Sequence, residues 1–239
     1  MRDVYVAEVD LETGKMLVAP SPAAEQFVGS NRSPDWSPDG RFLAYLSKRD
    51  AGPNTAGAGV ICIRSVKSGE VRELRPALQA MYRLRWFPDG RSLSVTDHGS
   101  NAGPNLFRVD AGTGEVTLVH RNVAEGAFSP DGRTVYYWRF DETDKQHPIL
   151  ARDLETGREK QLYRRGRVRS LALSPDGRQL AFLAREGSGP PVLKVLPAAG
   201  GDSRELTGRG ASRGTARPRG PPTAGGSLFR PASTGQRSG

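Results

Sequence analysis

The chain has 239 residues, enough for a sizeable core, and at 36% hydrophobic it offers no run near the roughly 18 consecutive apolar residues that a spanning helix needs. The single cysteine, Cys62, excludes an intramolecular disulfide, and His98, His120 and His147 lie at no ligand spacing from one another or from Cys62, which argues against a zinc site. A net charge of +9 and a pI near 10.1 would ordinarily raise nucleic-acid binding, but six arginines and no acid lie from residue 207 onward, leaving 29 bases against 26 acids in the rest.

Met1 to Asp10 alternates as a strand and lacks the charged start and apolar core of a secretory leader. The chain as encoded therefore reads as cytoplasmic, or as periplasmic had an upstream leader been lost. Val4 to Asp10 and Met16 to Ala19 bracket the turn Glu12-Thr13-Gly14-Lys15 and predict a half-unit over about 3–20. Next comes Ser37-Pro38-Asp39-Gly40, followed by the strand Phe42 to Leu46, a loop from Arg49 to Gly59, the strand Val60 to Val66 with Cys62 inside it, the turn Lys67-Ser68-Gly69-Glu70 and the strand Val71 to Leu74. Ala77 to Arg83 could form one helical turn; no segment sustains a 3.6-residue period.

The same order then recurs. The first turn returns as Phe87-Pro88-Asp89-Gly90, Ser129-Pro130-Asp131-Gly132 and Ser174-Pro175-Asp176-Gly177, at spacings of 50, 42 and 45 residues. The second returns as Gly112-Thr113-Gly114-Glu115, Glu155-Thr156-Gly157-Arg158 and a degenerate Ala199-Gly200-Gly201-Asp202. Proline pre-sets φ, Asp suits the third turn position and Gly accepts a positive φ, so each marker predicts a tight hairpin. One repeat is four antiparallel strands, A to D. A four-stranded sheet cannot cover both its faces alone, so tandem copies predict sheets packed face to face about an axis.

The expected fold is thus an all-β propeller with four full blades, at about 34–76, 84–120, 126–164 and 169–207, behind the half blade. From Thr207 the Gly, Arg, Pro, Ser and Thr content predicts a disordered tail over 208–239. The abrupt change there suggests a shifted reading frame or a gene fragment, and translation of the other frames would show whether further repeats follow.

The segment Asp35-Trp36-Ser37-Pro38-Asp39-Gly40-Arg41-Phe42-Leu43-Ala44-Tyr45 resembles the TolB-like, WD-repeat-like β-propeller repeat of bacterial proteins, which also occurs in the propellers of prolyl-oligopeptidase-type peptidases. The resemblance covers about residues 3–207. It implies a ring that usually closes six blades, with an N-terminal partial blade completed by C-terminal strands. A fifth turn would be due near residue 219, where Arg219-Gly220-Pro221-Pro222 stands instead, so the expected ring is incomplete. The resemblance further implies a piece of a larger sensor, kinase or transport-associated protein.

Catalytic readings are weak. Gly210-Ala211-Ser212-Arg213-Gly214 matches a nucleophile elbow as a string, yet neither the strand before it nor the helix after it is predicted. Asp39, Asp89, Asp131 and Asp176 are turn residues. The segment from Ser129 resembles an Asp-box but lacks the residue between Asp and Gly. Trp36 and Trp86 share a position two residues before a turn proline, which predicts core packing rather than a stacking platform, and Trp138 is open to either. His98 and His147 fall in predicted loops and read as surface imidazoles.

In a four-stranded meander the A–B and C–D turns share one rim, and the B–C and D–A connections share the other. The B–C loops, Arg49 to Gly59, Asp97 to Pro104, Asp141 to Pro148 and Arg185 to Pro190, differ between repeats. The D–A entries carry Asn31, Arg32, Arg83, Arg121, Asn122, Arg164, Arg165, Arg167 and Arg169. Recognition usually sits on irregular loops held by a rigid scaffold. The expectation is a non-catalytic module for protein interaction or ligand sensing, without cofactor or metal, whose binding residues are Arg32, Arg83, His98, Arg121, Asn122 and Arg167. The partner would be a protein or small ligand of acidic character. With only Phe229 interleaved in the basic tail, nucleic acid is disfavoured. The alternative is the gating propeller of a prolyl-oligopeptidase-like peptidase.

Overall fold

A computed structural model describes residues 3–24, 27, 30–48, 59–99, 103–139 and 146–206. The segment expected to form a disordered tail, and most of the first B–C loop, lie outside these residues. The described residues form strands and turns with no helix. A hairpin of β1 (Tyr5–Val9) and β2 (Met16–Pro22) precedes four antiparallel sheets arranged as a four-blade propeller. The first is β3 (Asn31–Trp36), β4 (Phe42–Lys48), β5 (Gly59–Ser65) and β6 (Val71–Leu74); the second is β7 (Met81–Trp86), β8 (Ser92–Asp97), β9 (Asn105–Asp110) and β10 (Val116–His120). The third is β11 (Glu125–Phe128), β12 (Thr134–Trp138), β13 (Ile149–Asp153) and β14 (Glu159–Tyr163); the fourth is β15 (Arg167–Leu173), β16 (Gln179–Arg185), β17 (Val192–Pro197) and β18 (Arg204–Glu205). Every sheet is a simple meander. The helical turn considered for residues 77–83 is absent: the Leu78 amide donates to Pro76 O at 2.7 Å in a tighter turn, and Met81 already pairs with Asp97 in the β7–β8 ladder.

Both repeated turns close by local bonds. In the first, the Ser37 hydroxyl donates to Asp39 Oδ1 at 2.6 Å and accepts the Phe42 amide at 2.9 Å, while Gly40 sits at φ 70° and donates to Ser37 O. Ser129 and Ser174 repeat the arrangement with Asp131 and Asp176. The second turn is an Asx-turn in three of its copies: Asp10, Asp110 and Asp153 each accept two amides, from residues two and three ahead. The two turns of a sheet are then tied together. Val66, Ala111, Leu154 and Ala198 donate their amides to the carbonyls of Arg41, Arg91, Arg133 and Arg178 at 2.8–2.9 Å. That tie seals one rim of the propeller.

The Ser37 hydroxyl is the first cause that holds the Asp39 carboxyl at about 2, with the Arg41 amide and guanidinium adding to it against a burial penalty. A depressed carboxylate pKa stabilises the fold above its unfolded value near 4 and loses that contribution as pH falls toward 2. The Asp39 side chain is 43% exposed, so solvent screening limits the contribution to about 1 kcal/mol. Asp39→Asn is therefore expected to cost about 1 kcal/mol in urea denaturation at pH 7 and only a small fraction of that near pH 2. An equal cost at both pH values would show that the charge plays no part.

The core lies between sheets. One apolar cluster joins the hairpin and the first sheet through Val4, Ala23, Tyr45 and Cys62, and a second joins the first and second sheets through Leu46, Ile61, Leu84 and Val95. A third joins the second and third sheets through Leu106, Val123, Tyr137 and Leu150, and a fourth joins the third and fourth through Tyr136, Ile149, Leu171 and Phe182. Trp86 is buried and Trp36 is partly buried against these clusters, as their shared position implies. Strand β8 is covered along its whole length because both faces meet neighbouring sheets. Phe87, which stands where the other first turns have Ser, stacks on Phe128 at 4.0 Å and so pins the second sheet to the third.

Candidate functional site

The innermost strands bring polar groups from all four sheets toward one another. Strands β3, β7 and β15 each carry a register shift, between Arg32 and Asp35, Tyr82 and Arg85, and Arg169 and Ala172. A non-glycine residue with positive φ sits in each: Ser33 at 53°, Arg83 at 62° and Ser170 at 56°, all five positions before a turn proline. A bulge of this kind re-aims the side chains after it. In the third sheet the corresponding residue is Glu125, in a strand with regular pairing.

The re-aimed groups bridge the sheets. Asp35 Oδ2 accepts the Trp86 amide at 2.8 Å, and the Arg32 guanidinium donates to Met81 O at 2.9 Å, which links the first sheet to the second. Arg85 Nη2 donates to Glu125 Oε1 and to Leu171 O, each at 3.4 Å, and so reaches both the third and the fourth sheets. Arg83 Nη1 lies 3.6 Å from Glu125 Oε2. Glu125 itself is 1% exposed. The result is a buried carboxylate clamped between two arginines.

The six residues expected at the loop rim separate into distinct settings. Arg32 and Arg83 are engaged as above. His98 is exposed, lies on Tyr82 with ring centroids 4.2 Å apart, and its imidazole is lowered in pKa by burial of the ring face. Arg121 is exposed in the β10–β11 connection, and Asn122 beside it has φ 56° with its amide donated to Asn105 Oδ1 at 3.3 Å. Arg167 stands apart from these. It opens β15, and with Arg164, Arg165, Arg185, Glu186 and Gln146 it lines a cleft of about 660 Å³ between the third and fourth sheets.

The loop placement of His147 predicts a surface imidazole, and the structure corrects this. His147 is 5% exposed, stacked on Trp138 at 4.8 Å with planes 6° apart, and its Nδ1 is 3.0 Å from Val168 O. The third sheet closes on the fourth over this residue, which also accounts for the burial of Trp138. Sequence reasoning missed Asp35, Arg85 and Glu125 altogether. Glu125 had one signal: an acid where the other repeats have Ser33, Arg83 and Ser170.

A second polar cluster lies between β10, β12 and β14. The Tyr137 hydroxyl donates to Glu159 Oε1 at 2.6 Å, His120 Nε2 is 3.0 Å from both oxygens, and Arg152 Nη1 bonds the same carboxylate. Burial would raise the Glu159 carboxyl, but the bonds from Tyr137 and Arg152 outweigh it, while burial lowers His120 and raises Tyr137. These shifts fit a satisfied structural network. Among the described residues no group of three or more His, Cys, Asp or Glu is placed to hold a metal ion.

A model of the TolB beta propeller domain family matches residues 3–216. Over 70 residues, 28% of this chain, the sequence is 40% identical to the uncharacterized peptidase YuxL of Bacillus subtilis, of which the matched part is 10%. Among solved structures, the chain is similar to a putative TolB from Agrobacterium tumefaciens, with TM-score 0.66 and 21% identity over 84% of this chain and 68% of that one. TolB from Acinetobacter baumannii is similar with TM-score 0.61 and 22% identity over 80% of this chain and 45% of that one. At these identities the structural likeness is one of fold. The chain thus spans a tenth of the peptidase and less than half of the Acinetobacter protein.

Proposed function

Because the chain belongs to the TolB beta propeller domain family, and family membership leaves the role open, we propose from its surface that it is a non-catalytic module that binds a protein partner through the loop rim. The observation that carries this reading is the contrast between rims. On the turn rim the repeated aspartates are satisfied by their own hydroxyl and amide partners, and the backbone ties leave little for a partner to complete. On the loop rim Arg121, Arg164, Arg165, Arg167 and Arg185 are exposed on connections that differ from sheet to sheet. Five exposed arginines on a firm scaffold favour an acidic partner.

A pull-down tests the assignment. The chain and a turn-rim variant, Arg41→Ser with Arg91→Ser, are expected to capture the same proteins, and Arg121→Ser with Arg167→Ser is expected to lose them. Arg83 is left intact because Glu125 depends on it. Equal capture by all three proteins would remove the loop rim from consideration. A second reading, the gating propeller of a peptidase, is supported by the match to YuxL. It expects an α/β-hydrolase domain in the same reading frame of the intact gene, and a gene without one would exclude it.

A further inference from the structure

Resting on the loop-rim reading, we propose that the cleft between the third and fourth sheets is a docking site for a carboxylate-rich peptide segment of the partner, held by Arg165, Arg167 and Arg185. The β15–β16 register sets Arg167 directly opposite Arg185 at the rim end of the ladder. Like charges in directly opposed cross-strand positions repel, and the fold bears that cost here with Arg165 close by. The side chains of Arg167 and Arg185 have no hydrogen bond or ion pair among the described residues, and that of Arg165 acts on Tyr163 and Glu186 only through space.

The one acid among the described lining residues offsets Arg165 only through space and bonds to neither Arg167 nor Arg185. Glu186 Oε1 accepts the Tyr163 hydroxyl at 2.6 Å and the Lys194 ammonium at 2.5 Å, and these two groups hold its carboxyl below the usual range. Its charge is thereby shared between Tyr163 of the third sheet and Lys194 of the fourth. The frame that carries the arginines is firm: Gly166, between Arg165 and Arg167, has φ 68° and accepts the His147 amide at 2.9 Å. A Cβ at Gly166 would lie 2.1 Å from Arg185 O, so the chain there runs against the end of β16 with no room for a side chain. The firm backbone fixes the points from which the side chains emerge, and a planar guanidinium loses less freedom per hydrogen bond formed than an ammonium does.

The chemistry selects among anions. The arginines come from the β14–β15 connection, the start of β15 and the end of β16, spread along an open cleft rather than gathered around a nest of backbone amides. That layout suits several separated carboxylates better than one phosphate. Among the described lining residues none is aromatic, so nucleic-acid bases would find charge there but no stacking surface.

The test uses the full 239-residue chain and fluorescein-labelled deca-glutamate in an anisotropy titration at low ionic strength. Arg167→Gln with Arg185→Gln is expected to weaken binding about tenfold or more, through loss of two charge-assisted contacts, while Arg41→Gln with Arg91→Gln leaves it unchanged. The six tail arginines are common to all three proteins, so the difference isolates the cleft. The cleft variant is also expected to melt no lower than the parent, because it removes the cross-strand repulsion. Equal deca-glutamate affinity in parent and cleft variant overturns the proposal, as does tighter, cleft-dependent binding of tripolyphosphate or of an oligothymidylate. Should the peptide fail while Arg121→Ser with Arg167→Ser still strips partners in the pull-down, the cleft assignment falls and the rim reading stands. Cleft-dependent peptide binding without any rim-dependent partner would sink the rim reading alone.

Discussion

Glu125→Ala is expected to destabilise the chain by about 3–5 kcal/mol, read as a shift in urea midpoint by tryptophan fluorescence. Glu125 is 1% exposed and faces Arg83 at 3.6 Å and Arg85 at 3.4 Å, with Arg85 also bonded to Leu171 O in the fourth sheet. Removing the carboxylate leaves two arginines, 35% and 20% exposed, turned inward with their shared acceptor gone. Desolvated charge without a partner is costlier than the pair was worth. A double-mutant cycle separates this from simple packing loss: Glu125→Ala with Arg85→Ala is expected to cost clearly less than the two single changes added together. Additivity of the two would mean that the carboxylate and the guanidinium do not act as a unit.

Gly166→Ala is expected to cost about 2–4 kcal/mol. Part of this is the φ of 68°, which an L side chain rarely adopts, and the larger part is the Cβ placed 2.1 Å from the Arg185 carbonyl oxygen and 2.9 Å from its carbon. Those neighbours are backbone in β16, so relief requires the start of β15 and the end of β16 to separate. The same separation would move Arg165, Arg167 and Arg185 relative to one another. Deca-glutamate affinity is therefore expected to fall along with stability, whereas Gly132→Ala, at φ 71° with open space around its Cβ, is expected to cost less and leave affinity intact. Equal costs at the two glycines would show that the contact with β16 contributes nothing.

The fold was legible because its signals are local. Ser37-Pro38-Asp39-Gly40 closes its turn with atoms no more than five residues apart, and so do its copies, so four occurrences announce four hairpins wherever they lie in space. Tandem repetition of a four-stranded unit that cannot cover both its faces alone then implied sheets packed face to face. The family resemblance rested on these same residues. Phe87 shows the limit of that legibility: as a string it is a lapse in the turn motif, and only the packing of the second sheet on the third reveals it as the ring that meets Phe128.

Site chemistry was less legible because it depends on which residues of different repeats meet. Arg83 and Arg167 looked alike in sequence as arginines entering a strand, but one is bound to a buried acid 42 residues away and the other faces Arg185 across a ladder. His147 read as exposed until the fourth sheet covered it. The amino-acid order alone determined the repeat, the strand count within it and the two turns, since each needs only neighbours along the chain. The tertiary structure decided the charge pairings about the axis and the arginine cleft at the rim, because those energies arise between sheets and no single repeat contains both partners.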